Sequence, residues 1–276
     1  MIHLETFGTF AISHLRLEYH FVGPQPDVAP TLVLLHEGLG SAMQWGPLPE
    51  ILVGKTGCGV LAFSRQGHGA SSPVPLPRRA DFLEHEARTI LPQVLNLAGL
   101  RSGLLIGHSD GASIAALALA GGDARVRGGV LIAPHFFVEE VTLAGARRAR
   151  EAYDKGDLKV RLGPRHADVE GAFRGWNDAW LDPARRGWTI EMALTRWTVP
   201  AIIIQGTDDA YGTEAQIAAA RRLCPGGLLT VYEMPNVGHQ PHRESLAETA
   251  DVIARFVAQV LRGAPHPDRA YPFRQA

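Results

Sequence analysis

The sequence predicts an α/β fold, a mostly parallel central sheet flanked by helices and interrupted by one helical insertion. Three observations carry that expectation. Short apolar runs rich in β-formers recur along the chain, segments of helical period lie between them, and one long stretch, 136–199, lacks any such run. Strands that alternate with helices give a parallel sheet covered on both faces, because parallel neighbours need a crossover between them.

The elements follow in order. Residues 4–12 and 15–22 alternate enough to predict an antiparallel hairpin, and 24–30, bounded by prolines, reads as a loop. Buried strands are expected at 31–36, 60–64, 103–106, 129–133 and 201–205, with 228–233 a weaker example. Leu83, Ala87, Ile90, Val94 and Leu97 recur at helical spacing, as do Leu246, Ala250, Ile253, Val257 and Val260. Within 136–199 the composition shifts towards Arg, Trp and Ala. Helices are expected over 139–153, ended by Gly156, and over 168–180, stopped by Pro183. A structureless loop of that length does not suit a compact domain. The chain therefore divides into a core, 1–135 and 200–276, and a helical cap, 136–199, lying over one edge of the sheet. The proline-rich end, 263–276, is expected to extend from the last helix.

The chain has 276 residues, 46% hydrophobic and 20% charged, with a formal net charge of -1. That balance gives no electrostatic reason to expect nucleic acid or an anionic membrane as partner. Two cysteines, Cys58 and Cys224, lie far apart and outside any C-x-x-C pattern, which points to neither a disulfide framework nor a zinc site. The first residues lack a signal peptide's basic start and apolar run, and no run reaches membrane-helix length. A cytoplasmic protein that needs no cofactor or metal and acts on a small molecule is expected. A homo-oligomer stays open.

The most informative run is Gly107-His108-Ser109-Asp110-Gly111, a G-x-S-x-G placed directly after an apolar strand and before the Ala-rich segment 112–120. A sharp strand-to-helix turn holds the central side chain out at the sheet edge, and a Cβ at either glycine would meet neighbouring backbone. Ser109 is the candidate nucleophile. A serine hydroxyl needs a positioned base held by a carboxylate. After strand 201–205 come Asp208 and Asp209; Asp209 is favoured because the loop needs a few residues before it turns inward. After 228–233 come Gly238, His239 and His242; Gly238 allows the tight turn that would aim His239 inward, whereas His242 begins the approach to the last helix. For an oxyanion, Asp110 supplies one backbone amide and Gly38, in the loop His36-Glu37-Gly38-Leu39-Gly40-Ser41, the other, with Glu37 as the alternative.

With these motifs in place the chain resembles the α/β-hydrolase family over nearly its whole length. The loop 36–41 looks like the family's oxyanion loop, and Arg65-Gln66-Gly67-His68-Gly69-Ala70-Ser71 like its R-G-x-G-x-S segment. The resemblance implies an α/β-hydrolase fold, a serine hydrolase with catalytic Ser109, Asp209 and His239, and a cap over the site. Two departures stand out: H-E-G replaces H-G-x in the oxyanion loop, and Arg65-Gln66-Gly67 replaces R-G. The reaction expected is cleavage of a small, apolar or aromatic ester-type substrate through an acyl-enzyme. Carbon–carbon bond hydrolysis, perhydrolase chemistry and a slow ligand sensor on the same scaffold are the alternatives. Leu39, Trp45, His108, Trp176 and Trp180 are the candidate substrate contacts, and aromatic walls suit such an acyl group. Trp188 and Trp197 fall in or beside the cap, where tryptophans more often anchor helices. Arg174 and Arg196 could meet a substrate carboxylate, though cap arginines more often pair with neighbouring acids.

Overall fold

The computed structural model describes residues 3–262; the proline-rich end expected at 263–276 lies outside them. Eight strands form one sheet: β1 Phe7–Ile12, β2 Leu15–Val22, β3 Thr31–Leu35, β4 Gly59–Phe63, β5 Gly103–His108, β6 Val126–Ile132, β7 Ala201–Gly206 and β8 Leu229–Met234. Their order is β1-β2-β4-β3-β5-β6-β7-β8. The pairs β1–β2 and β2–β4 are antiparallel, and every later pair is parallel.

Successive strand side chains point to opposite faces, and the central strands are apolar on both because both faces are covered. Val33, Leu35, Leu105 and Ile203 face one apolar layer, together with the helix Asp110–Leu119 and the helical segment 82–97. Leu32, Leu34, Leu104, Ile106, Ile202 and Ile204 face the other, against helices Leu48–Thr56 and Leu246–Arg262. β8 is an edge strand whose residues are mostly half-buried, which accounts for its weaker sequence signal.

The structure differs from expectation in three places. β6 begins at Val126, ahead of its expected start at Gly129. Leu48–Thr56 and Glu214–Leu223 are helices that periodicity did not bring out. The first carries Pro49 and Gly54 and has no marked apolar stripe. The second buries Gln216, Ile217, Ala219 and Ala220, a polar residue and two small ones beside a single isoleucine, so its inward face is faint. Finally, the helical segment 82–97 contains a π-helical turn, Glu86–Ile90, just ahead of Pro92, which has no N–H to continue the ladder.

Between β6 and β7 the chain forms helices Glu140–Lys155, Leu158–Leu162, Val169–Leu181 and Glu191–Leu194, joined by short 3-10 turns. Asp168 caps the third, its carboxylate accepting from the Gly171 amide at 2.8 Å. Three indoles tie this insertion down. Trp197 Nε1 donates to the Ala116 carbonyl at 2.9 Å, Trp188 Nε1 to Glu84 at 2.9 Å, and Trp180 Nε1 to Asp110 Oδ1 at 3.1 Å. No helix among the described residues is long and apolar enough to cross a membrane.

Candidate active site

Ser109 sits where β5 turns into the helix Asp110–Leu119, with φ 53° and ψ -118°. A non-glycine residue in that region is strained and persists only where its surroundings dictate it. The two glycines show how they do. A Cβ on Gly107 would lie 2.2 Å from the Gly111 carbonyl oxygen, and one on Gly111 would lie 1.9 Å from the Leu35 carbonyl oxygen. The elbow is packed backbone against backbone, so neither position has room for a side chain.

The loops after β7 and β8 meet this turn. His239 Nε2 is 3.0 Å from Ser109 Oγ, and His239 Nδ1 is 2.8 Å and 2.9 Å from the two Asp209 oxygens. The Asp209 carboxylate also accepts from Gln205 Nε2 at 2.8 Å and from the Tyr211 amide at 2.7 Å. Burial alone would raise the Asp209 pKa; the bonds from His239, Tyr211 and Gln205 outweigh it and hold the carboxyl below its ordinary value. Asp208 points elsewhere: it is exposed and accepts from the Thr207 hydroxyl. His242 is buried against Trp45 and His108, with ring centroids 5.1 Å and 4.6 Å away.

Beside Ser109, the amides of Gly38 and Asp110 donate to no protein acceptor among the described residues, and both residues line the same cavity as Ser109. Arg65, buried and unforeseen, orders this loop. Its guanidinium donates to the His36 carbonyl and, at 2.9 Å, to the Glu37 carbonyl. In a trans peptide the C=O and N–H point opposite ways, so fixing the Glu37 carbonyl turns the Gly38 N–H away from Arg65. Burial lowers the Arg65 pKa to about 10, with Asp110 and Glu86 opposing, so the group stays charged. The Asp110 carboxyl is itself buried and its pKa raised by that burial, against the pull of Arg65 and Arg185.

The cavity over Ser109 holds ≈520 Å³, and of the candidate substrate contacts Leu39, Trp176 and Trp180 line it. Trp176 lies so close to the loop that a Cβ on Gly38 would meet its Nε1 at 2.1 Å. Trp45 and His108 are corrections: neither lines that cavity. Trp45 is 4% exposed and packs into the apolar layer beneath the sheet, while His108 Nε2 donates to the His239 carbonyl at 2.8 Å, bracing the His239 loop from behind. An adjoining, more open recess of ≈840 Å³ shares Arg165 and Arg243 with this cavity and touches Gln44, Trp45 and His242 but not Ser109.

Two residues facing the His239 ring are not marked by the sequence. The His135 ring is 5.7 Å from that of His239, and burial together with the charge of His239 pushes its pKa down to about 3. The Tyr211 ring is 4.8 Å from it. Among the described residues no group of three or more His, Cys, Asp or Glu side chains is arranged to hold a metal ion.

Comparison with known proteins agrees with this architecture. The sequence is 31% identical over 256 residues to the 2-succinyl-6-hydroxy-2,4-cyclohexadiene-1-carboxylate synthase of Salmonella paratyphi C, covering 85% of this chain and 96% of that one. It is 24% identical over 272 residues to the sn-1-specific diacylglycerol lipase ABHD11 of Mus musculus, covering 88% and 86%. The enol-lactonase from Burkholderia xenovorans LB400 superposes with a TM-score of 0.70 at 21% identity, over 91% of this chain and all of that one, a likeness of fold. The profile of the alpha/beta hydrolase family matches residues 32–255, and the chain belongs to that family of enzymes.

Proposed function

We propose that this protein is a serine hydrolase that cleaves a small, largely apolar ester-type substrate. The observation that carries the reading is the continuous path from Asp209 through His239 to Ser109, with both nitrogens of one imidazole within 3.0 Å of their partners. Ser109 Oγ attacks the substrate carbonyl as His239 Nε2 takes its proton, and Asp209 stabilises the imidazolium that results. The amides of Gly38 and Asp110 receive the developing oxyanion. His239 then passes the proton to the leaving group, and water, activated by the same base, releases the acyl-enzyme. The insertion 136–199 acts as the cap, shaping the pocket with Trp176 and Trp180.

The test is an ester panel. Turnover of p-nitrophenyl acetate or butyrate that disappears in Ser109→Ala supports the reading; equal turnover by that variant ends it. One observation favours a second reading: the relative at 31% identity is named as a synthase rather than an esterase. In a carbon–carbon bond reaction His239 and Ser109 would serve proton transfer and cleavage without a durable acyl-enzyme. Rapid-quench mass spectrometry separates the two, since only ester cleavage loads an acyl group onto Ser109.

A further inference from the structure

The cavity over Ser109 has two unlike parts. Its wall is apolar, with Leu39, Leu158, Leu162 and Trp176, whereas Arg148, Arg161, Arg165 and Arg243 stand round its exposed mouth. Several other arginines of the insertion are matched by acids: Arg147 pairs with Glu140, Arg150 with Asp178, and Arg174 with Asp154 and Glu170. At the mouth the pattern changes. Arg161 pairs with Asp157 at 3.2 Å, but among the described residues no ion pair engages Arg148, Arg165 or Arg243.

Arg165 and Arg243 come from distant parts of the sequence and converge on one neutral oxygen. Arg165 Nη1 is 3.3 Å and Arg243 Nη2 is 3.2 Å from Gln44 Oε1, and Arg243 also donates to the Gln44 carbonyl at 2.8 Å. Two guanidinium groups sharing one amide oxygen leave like charges side by side with most of their donors unspent. That arrangement repels itself, and a planar oxyanion between the two forks would relieve it. The carboxyls that line the same cavity do not fill this role. Asp110 accepts from Trp180 deep in the pocket, and the Glu37 carboxyl is folded against Gly40 and forms no ion pair with Arg243, although the charge of Arg243 opposes the rise that burial gives its pKa.

We infer that the substrate carries a carboxylate at the end remote from its scissile carbonyl, bound by Arg165 and Arg243, with the apolar chain between them lying along Leu39, Leu158, Leu162 and Trp176. This rests on the hydrolase reading of Ser109 and adds the charge and polarity of what is cleaved. The anion would be drawn to the mouth by the field of the four arginines, and the chain behind it would be desolvated against the cap.

The test uses mono-p-nitrophenyl esters of dicarboxylic acids of increasing length, each compared with its terminal methyl ester. The expected result is a kcat/KM ratio of at least about tenfold in favour of the free carboxylate at low ionic strength, peaking at one chain length. The ratio falls towards one in the Arg165→Gln, Arg243→Gln double variant, and shrinks in high salt. A neutral ester used equally well, or a ratio that survives in the double variant, overturns the inference. Binding of the matching p-nitroanilides to Ser109→Ala, by calorimetry, scores the same preference without turnover. If neither ester is cleaved, the hydrolase reading fails, while the calorimetric preference still decides for or against the carboxylate site.

Discussion

The carboxyl edge of the sheet and the inserted segment 136–199 are held together in different ways. At the edge, backbone fixes backbone: Gly107 against Gly111, Gly111 against Leu35, and Gly206 so close to Val237 that a Cβ would lie 2.2 Å from its carbonyl oxygen. The insertion is fixed by side chains: three indole hydrogen bonds to the core and a set of ion pairs along its outer faces. Backbone packing tolerates no change and sets atoms to fractions of an ångström, which proton transfer needs. Side-chain anchoring tolerates change, which suits a surface that chooses the substrate. In the proposed function the edge carries the chemistry and the insertion the specificity.

The largest expected effect breaks the edge at its acid. Asp209→Asn should lower kcat/KM on the order of 10⁴-fold, because the imidazole loses the partner that holds its tautomer, while the melting temperature stays nearly constant. Asp208→Asn, on an exposed carboxylate, should leave steady-state kinetics unchanged. Collapse in the second variant rather than the first would move the acid to Asp208.

Acid should then open the edge before the insertion. His36, His68, His108, His135 and His242 are all buried there with pKa values lowered, by burial first in every case. The unfolded chain binds protons near pH 6.5 while these folded sites refuse them, so stability is full above that pH and falls as pH drops. Each site contributes up to about 1.4 kcal/mol per pH unit. A melting temperature that stays flat from pH 7 to pH 5 would contradict this. Hydrogen exchange at pH 5.5 should show the loops 36–41 and 235–240 opening ahead of the helix Val169–Leu181.

Smaller effects sharpen the contrast. Gly111→Ala places a Cβ against the Leu35 carbonyl and should cost more than about 3 kcal/mol in chemical denaturation, or prevent soluble expression. Arg147→Ala, which removes an exposed ion pair of the insertion, should cost less than about 0.5 kcal/mol by the same measurement. Equal costs would erase the distinction between the two regions.

The same distinction decides what could be read from the sequence. Buried strands announce themselves as apolar runs, and the elbow as glycines at fixed offsets, because each obeys a local steric rule. Ser109, Asp209 and His239 were therefore legible before any coordinates, each lying just past a strand end. Arg65 was visible only as part of a motif; its bonds to the His36 and Glu37 carbonyls depend on β4 lying beside β3. Gln205 falls at the end of an expected strand and His135 just beyond another, and nothing in their neighbours marks the Asp209 carboxylate that the first bonds or the His239 ring that the second faces. Trp45 and His108 were misplaced because closeness in sequence to a functional loop does not say which face a ring takes. Of Arg174 and Arg196, which by sequence could meet a carboxylate but as cap arginines more often pair with neighbouring acids, Arg174 does pair, with Asp154 and Glu170, and the unmatched pair is Arg165 and Arg243. Those two lie far apart in the chain and are joined only by the fold.

In the proposed function the hydroxyl at 109 is made nucleophilic by the imidazole at 239. The rate of phosphonylation by a fluorophosphonate, followed by intact mass with the labelled peptide identified, measures that directly. A single adduct on Ser109 is expected, with a fall in rate on the order of 10³-fold or more in His239→Ala. Labelling of another residue, or the same rate without the imidazole, would contradict it.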